Sequence, residues 1–132
     1  FAKVICEAQG WDLLDPEISS FPDVSKTHWA YQYIETPKAY GTIGGYGDGT
    51  FKPDGYITRA EISKMITISA GLTINASGTS FPDVSTFYWA YQYIMTCRNN
   101  NIIDGYDDGT FKSSNSASRA EASTMIYRML IL

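Results

Sequence analysis

Trp29-Ala30-Tyr31-Gln32-Tyr33-Ile34 returns as Trp89-Ala90-Tyr91-Gln92-Tyr93-Ile94, and the agreement extends outward from this hexapeptide in both directions. Upstream, Phe21-Pro22-Asp23-Val24-Ser25 returns as Phe81-Pro82-Asp83-Val84-Ser85. Downstream, Gly49-Thr50-Phe51-Lys52 returns as Gly109-Thr110-Phe111-Lys112, and Arg59-Ala60-Glu61 as Arg119-Ala120-Glu121. Residues 21–72 lie over 81–132 without a gap, and 27 of the 52 positions are identical. A fixed offset of this length marks a repeated supersecondary unit. It also bears on function, because a repeated surface offers repeated binding sites whereas a catalytic centre is usually one asymmetric constellation.

Each unit reads as helix, loop, helix. Ser25 and Ser85 are candidate caps shortly before the first helix, and Trp29, Tyr33, Ile34 and Pro37 follow at the spacing of a core-facing stripe. Pro37 predicts a bend or an end to that helix; Cys97 stands in its place in the second copy, which predicts a straighter helix there. Gly41 and Asn101, both tolerant of a left-handed backbone, mark the stops. Gly45-Tyr46-Gly47-Asp48-Gly49-Thr50-Phe51 and its counterpart 105–111 predict a tight turn and a short extended piece, with Phe51 and Phe111 anchoring the loop in the core. Thr58-Arg59-Ala60-Glu61 and Ser118-Arg119-Ala120-Glu121 then fit the capping box, a hydroxyl at the cap and a Glu three residues on. Apolar residues at helical spacing follow in both copies: Ile62, Met65 and Ile66, then Met125, Ile126, Met129 and Leu130.

Residues 71–80 form a linker without periodicity, in which Asn75-Ala76-Ser77 matches a glycosylation acceptor only by a short, common pattern. Phe1-Ala2-Lys3-Val4-Ile5 aligns with Ile62-Ser63-Lys64-Met65-Ile66. Residues 1–20 are therefore the tail of an earlier unit, residues 21–80 a full repeat with its linker, and 81–132 a second full repeat. Upstream chain, on this or another polypeptide, is expected.

The 132 residues suit one domain with a modest shared core. A formal charge of −4 and a pI near 4.8 argue against nucleic acid and anionic membrane surfaces as partners. No apolar run approaches the roughly 18 residues that would span a bilayer, and the opening Phe1-Ala2-Lys3-Val4-Ile5-Cys6 has no signal-peptide pattern. Cys6 and Cys97 have no metal-ligand spacing; they read as buried free thiols or as a long-range disulfide. An aromatic content of 14% suits tight packing and also sugar recognition through ring faces.

Catalytic and metal chemistry find little support. His28 becomes Tyr88 in the other copy, so no repeated histidine site exists, and no Gly-x-Ser-x-Gly, phosphate loop or Cys/His cluster occurs. Read as a calcium loop from Asp48, the pattern places Arg59 where a bidentate Glu is required. Glu61 and Glu121 are assigned to capping, and Asp23 and Asp83 to bonds with nearby backbone amides. No cofactor and no metal is implied.

A different chemistry is repeated. A helix N-terminus offers unpaired N–H groups and about half a positive charge, and Arg59 and Arg119 add a planar fork suited to a carboxylate at each of two such starts. The alternative for each arginine is a pair with a neighbouring Glu, or plain solvation. Trp29 and Trp89 head apolar stripes and so serve packing; an exposed edge would also let them face a sugar ring.

The ordered elements Phe-x-Asp-Val, Trp-Ala, Gly-Tyr-x-Asp-Gly-Thr-Phe-Lys and Thr/Ser-Arg-Ala-Glu, each present twice, resemble the S-layer homology repeat over essentially the whole chain. The resemblance implies a mainly α fold, helix-loop-helix repeats assembled into one pseudo-threefold domain over 1–132, with grooves between repeats. It further implies a non-catalytic module that binds an anionic, often pyruvylated, bacterial secondary cell-wall polysaccharide and tethers a secreted protein to the cell wall or S-layer. The alternative is a structural module docking with other envelope proteins or with a chain that completes the first repeat. By the same resemblance Arg59 and Arg119 contact the acidic sugar, Trp29 and Trp89 wall the groove, and Gly45, Gly49, Gly105 and Gly109 permit close approach. One departure stands out: Lys112-Ser113-Ser114-Asn115 replaces Lys52-Pro53-Asp54-Gly55, so the last loop lacks the proline.

Overall fold

Two hydroxyl-headed capping boxes set the clearest boundaries of the architecture. In the computed structural model, which describes residues 1–132, the Thr58 and Ser118 hydroxyls accept from the backbone N–H of Glu61 and Glu121, and each Glu side chain returns to the backbone of its cap. They start α3 (Arg59–Ser69) and α5 (Arg119–Leu130). The other helices are α1 (Ala2–Gln9), α2 (Tyr31–Ala39) and α4 (Tyr91–Asn99). There is no sheet, only an isolated antiparallel bridge between Thr58 and Ser116. The chain is mainly α, built of helix-loop-helix repeats.

Packing divides it into two units, Phe1–Gly55 and Tyr56–Leu132. In the first, α1 packs on α2; in the second, α3 packs on α4 and more lightly on α5. The packing unit is thus out of phase with the sequence repeat: the second helix of one repeat joins the first helix of the next. Ile62, Ile66 and Thr67 of α3 and Ile94, Met95 and Cys97 of α4 are buried, as are Ile5 and Cys6 of α1 and Tyr31 and Ile34 of α2.

The first helix of each repeat differs from the sequence reading in three ways. Ser25 and Ser85 do not cap it. Their hydroxyls accept from the amides of Thr27 and Phe87, forming a turn that ends well before α2 and α4, whose N-caps are Ala30 and Ala90 with no side-chain bond. Trp29 and Trp89 therefore stand in the preceding turn, outside the buried stripe, 72% and 51% exposed. Pro37 does not end its helix: it lies inside α2, which runs on to Ala39 and matches α4 at nine residues. A proline at 37 leaves the carbonyl of Tyr33 without its helical donor, and the Cys6 thiol of α1 donates to that carbonyl at 3.7 Å. The stops follow expectation: Gly41 and Asn101 are left-handed (φ 72° and 57°), and the next amides bond back to Pro37 and Cys97 carbonyls at 2.9 Å. Both cysteines are free and buried.

The loops are tied down by carboxylates. Asp48 Oδ1 accepts from the amide and hydroxyl of Thr50, and Asp108 does the same with Thr110. Asp23 accepts from the amides of Phe51 and Lys52 (2.9 and 2.7 Å), and Asp83 from those of Phe111 and Lys112 (2.8 and 2.7 Å). These amides are 28 and 29 residues away, not neighbours along the chain. Lys52 and Lys112 take left-handed conformations (φ 59° and 58°). Their ammonium groups lie over the rings of Tyr46 and Tyr106, 4.6 and 4.5 Å from the centroids.

Candidate functional site

The starts of α3 and α5 share a motif and differ in surroundings. Arg59, at the first position of α3, is 3% exposed. Its Nε donates to the Phe111 carbonyl at 2.8 Å, Nη2 to the Asp104 carbonyl at 3.0 Å, and Nη1 to Glu121 Oε1 at 2.8 Å. The guanidinium also sits 4.6 Å from the ring centroids of both Tyr106 and Phe111. Every face of the fork is engaged, and the bonds join α3 to the 104–111 loop and to the cap of α5.

Glu121 carries two duties. Its Oε2 accepts from the Ser118 amide, closing the capping box, while Oε1 accepts from Arg59 and from the Tyr106 hydroxyl at 2.6 Å. The hydrogen bond from Tyr106 holds its carboxyl below the usual range, with the Arg59 charge acting in the same direction. The reciprocal effect raises the Tyr106 phenol.

Arg119, at the first position of α5, is exposed and makes no hydrogen bond or ion pair. Ala120, beside it, is exposed too, whereas the matching Ala60 is fully buried. A free fork therefore stands at a helix N-terminus, the arrangement that favours an anion.

The remaining residues named from sequence fall into two groups. Trp29 stacks on His28 with ring centroids 5.8 Å apart, and Trp89 leans on Tyr88 at 5.6 Å. Each keeps much of its surface open. The glycines serve the loop fold. A Cβ on Gly45 or Gly105 would stand 2.5 or 2.8 Å from the ring of Phe21 or Phe81 and 2.9 Å from the carbonyl of Thr50 or Thr110. Gly49 and Gly109 have open space around them but turn at φ 82° and 81°.

The sequence reading missed what holds Arg59. Two of its partners are backbone carbonyls, 45 and 52 residues away, which no side-chain pattern announces. The third, Glu121, was visible as the acid of the next copy of the same motif.

Comparison with known proteins places the sequence beside a family of surface modules. The S-layer homology domain model matches residues 20–62 and 80–123. The cellulosome-anchoring protein of Acetivibrio thermocellus is 36% identical over 119 residues, covering 84% of this chain and 26% of that protein. The surface layer protein of Brevibacillus choshinensis is 36% identical over 101 residues, 74% of this chain and 9% of its own length. An endoglucanase of Bacillus sp. KSM-635 is 32% identical over 108 residues, 82% of this chain and 11% of the enzyme. The chain thus corresponds to a small part of each of these relatives.

Proposed function

The chain belongs to the S-layer homology domain family, and from that premise we propose that it is a non-catalytic module anchoring a protein to the bacterial cell surface. Its relatives bear the names of an anchoring protein, a surface-layer protein and an enzyme, so the shared segment is the attachment and not the cargo. The proposed ligand is an anionic cell-wall polysaccharide, with a carboxylate-bearing sugar such as a pyruvate ketal at the cationic helix start. The observation that supports it is Arg119: exposed, unpaired, and set at a capped helix N-terminus. Arg59 reaches such a sugar only by exchanging Glu121 for the ligand's carboxylate, so Arg119 is the primary contact. Trp29 and Trp89 offer open indole surface to sugar rings. Gly45, Gly49, Gly105 and Gly109 contribute by holding the loops in shape.

The test is sedimentation of the protein with purified cell walls, native or chemically stripped of their acidic polysaccharide. Retention on native walls alone, weakened by Arg119→Ala, is expected. Equal retention on both preparations removes the reading.

A second reading, docking with another envelope protein, is favoured by one feature. Tyr127, Leu130, Ile131 and Leu132 leave an exposed apolar end on α5. Analytical ultracentrifugation separates the two, since a strict monomer that still binds the polymer speaks for the glycan.

A further inference from the structure

The unit Phe1–Gly55 carries a half-open surface cavity of about 310 Å3 at the C-terminal end of α1, lined by Cys6, Glu7, Gly10, Trp11, Asp12 and Leu13, of which only Cys6 is buried. That volume is at the lower end of the range for small-molecule sites. Its aromatic wall is braced: Trp11 is stacked on Tyr40 with centroids 4.3 Å apart and planes 9° from parallel. The indole N–H has no hydrogen-bond partner.

The lining is negative, and the nearest cation along α1, Lys3, stands one turn before Glu7 with its ammonium over the Tyr33 ring, 5.2 Å from the centroid. Glu7 and Asp12 have no ion-pair partner, and no basic residue occupies the last turn of α1. Glu7 has only a 3.4 Å contact from the Tyr33 hydroxyl. The helix C-terminus adds partial negative charge of its own. The Cys6 thiol registers this setting: burial, with the nearby Glu7 charge, pushes it up to about 11, so it is a neutral wall and not a nucleophile.

The internal repeat serves as a control for what the fold requires. The same turn is built again after α3, where the amides of Gly71 and Leu72 bond to Ile68 and Thr67 carbonyls as those of Gly10 and Trp11 bond to Glu7 and Cys6. The amides of Leu14 and Asn75 likewise both bond to a threonine hydroxyl, Thr36 and Thr96. At corresponding positions the second copy has Ile68 for Glu7, Leu72 for Trp11, Thr73 for Asp12 and Asn100 for Tyr40. Neither the acids nor the aromatic pair is needed to make the turn.

We propose that this cavity binds a small organic cation, a primary ammonium on a sugar or amino-acid body, with Glu7 and Asp12 as counter-charges and Trp11 as the aromatic wall. An ammonium is attracted both to carboxylates and to an indole face. The site is independent of Arg119, so it stands or falls apart from the polysaccharide reading.

The experiment follows the indole N–H resonances of the intact chain by NMR, with Trp11→Phe identifying the signal of Trp11 among the three tryptophans. Glucosamine, lysine methyl ester, N-acetylglucosamine and sodium chloride at matched ionic strength are titrated separately. A saturable shift of the Trp11 signal is expected with glucosamine, with the lysine ester, or with both, and the pattern tells a sugar amine from a peptide amine. The exposed double substitution Glu7→Gln/Asp12→Asn should weaken that binding at least about tenfold without lowering the melting temperature, and Arg119→Ala should leave it unchanged. No saturable shift with either amine overturns the proposal. So does an equal shift with N-acetylglucosamine or with salt, or indifference to the double substitution.

Discussion

Arg59 and Arg119 hold the same place in the same four-residue motif, and their surroundings make opposite predictions. Removing Arg59 leaves Glu121 without its cation and two carbonyls without donors inside the unit. Arg59 is buried but Glu121 is 27% exposed, so the loss lies mainly in the orphaned carbonyls and costs about 2 kcal/mol. Losing the Thr58 cap costs about 1 kcal/mol. Urea unfolding should therefore rank Arg59→Ala as clearly more destabilising than Thr58→Ala, while Arg119→Ala stays within about 0.5 kcal/mol of the parent. If Arg59→Ala unfolds at the parent's urea midpoint, the enclosure of Arg59 has no energetic weight. The loop aspartates predict an acid sensitivity. Amide donors from Phe51 and Lys52 hold Asp23 below the usual range. For Asp83 burial pushes up, and the amides of Phe111 and Lys112 outweigh it. The Thr110 hydroxyl and amide bring Asp108 down to about 2. Groups depressed in the folded state stabilise it fully above their unfolded value near pH ~4, and lose that contribution as pH falls through the folded value. Stability should be flat from neutrality to about pH 5 and decline between about pH 4 and 2. Asp83→Asn should lower the plateau and flatten the decline, read as urea midpoint against pH.

At the level of elements, the capping boxes and the left-handed stops were legible because residues close in sequence supply the bonds that define them, although the first amides of α3 also bond to the Asn115 and Ser113 carbonyls. Ser25 and Pro37 were misleading for two different reasons. Ser25 had a closer amide to accept from, and the carbonyl released by Pro37 found the Cys6 thiol on another helix. A nearer local amide displaced the first expectation, and a partner supplied by tertiary packing displaced the second. The α3–α4 seam gives a direct check. Thr67 Oγ1 lies 3.3 Å from Cys97 Sγ, so Thr67→Cys would set two sulfur atoms within bonding reach. Oxidation should then leave one titratable thiol, Cys6, and raise stability by about 3 kcal/mol for a loop of this length. A variant that keeps all its thiols under oxidant would show that the helices meet differently.

For the molecule as a whole, repetition revealed the fold class and the family, because each sub-motif occurs twice in the same order. It disclosed less about the site. Two identical motifs implied two equivalent arginines, yet only the backbone carbonyls and ring faces of the following loop decide which one is enclosed. Trp29 and Trp89 were likewise placed in a packing stripe by spacing, whereas the preceding turn swings them outward. Binding to isolated cell walls should follow this asymmetry: Arg119→Ala weakens retention with an unchanged unfolding curve, and Trp89→Ala weakens it further. Retention that survives both substitutions would transfer the glycan contact elsewhere on the surface.

The mismatch between packing and sequence period has a practical corollary for anyone dividing this chain into pieces. Excising residues 21–80, the obvious block by alignment, would strand α3 from the helix it leans on and leave Arg59 pointing at nothing. A break after Gly55 respects the physical seam, and the fragment Tyr56–Leu132 retains the Arg59–Glu121 joint whole. That fragment should melt in a single sigmoidal step, whereas the alignment-defined block should not.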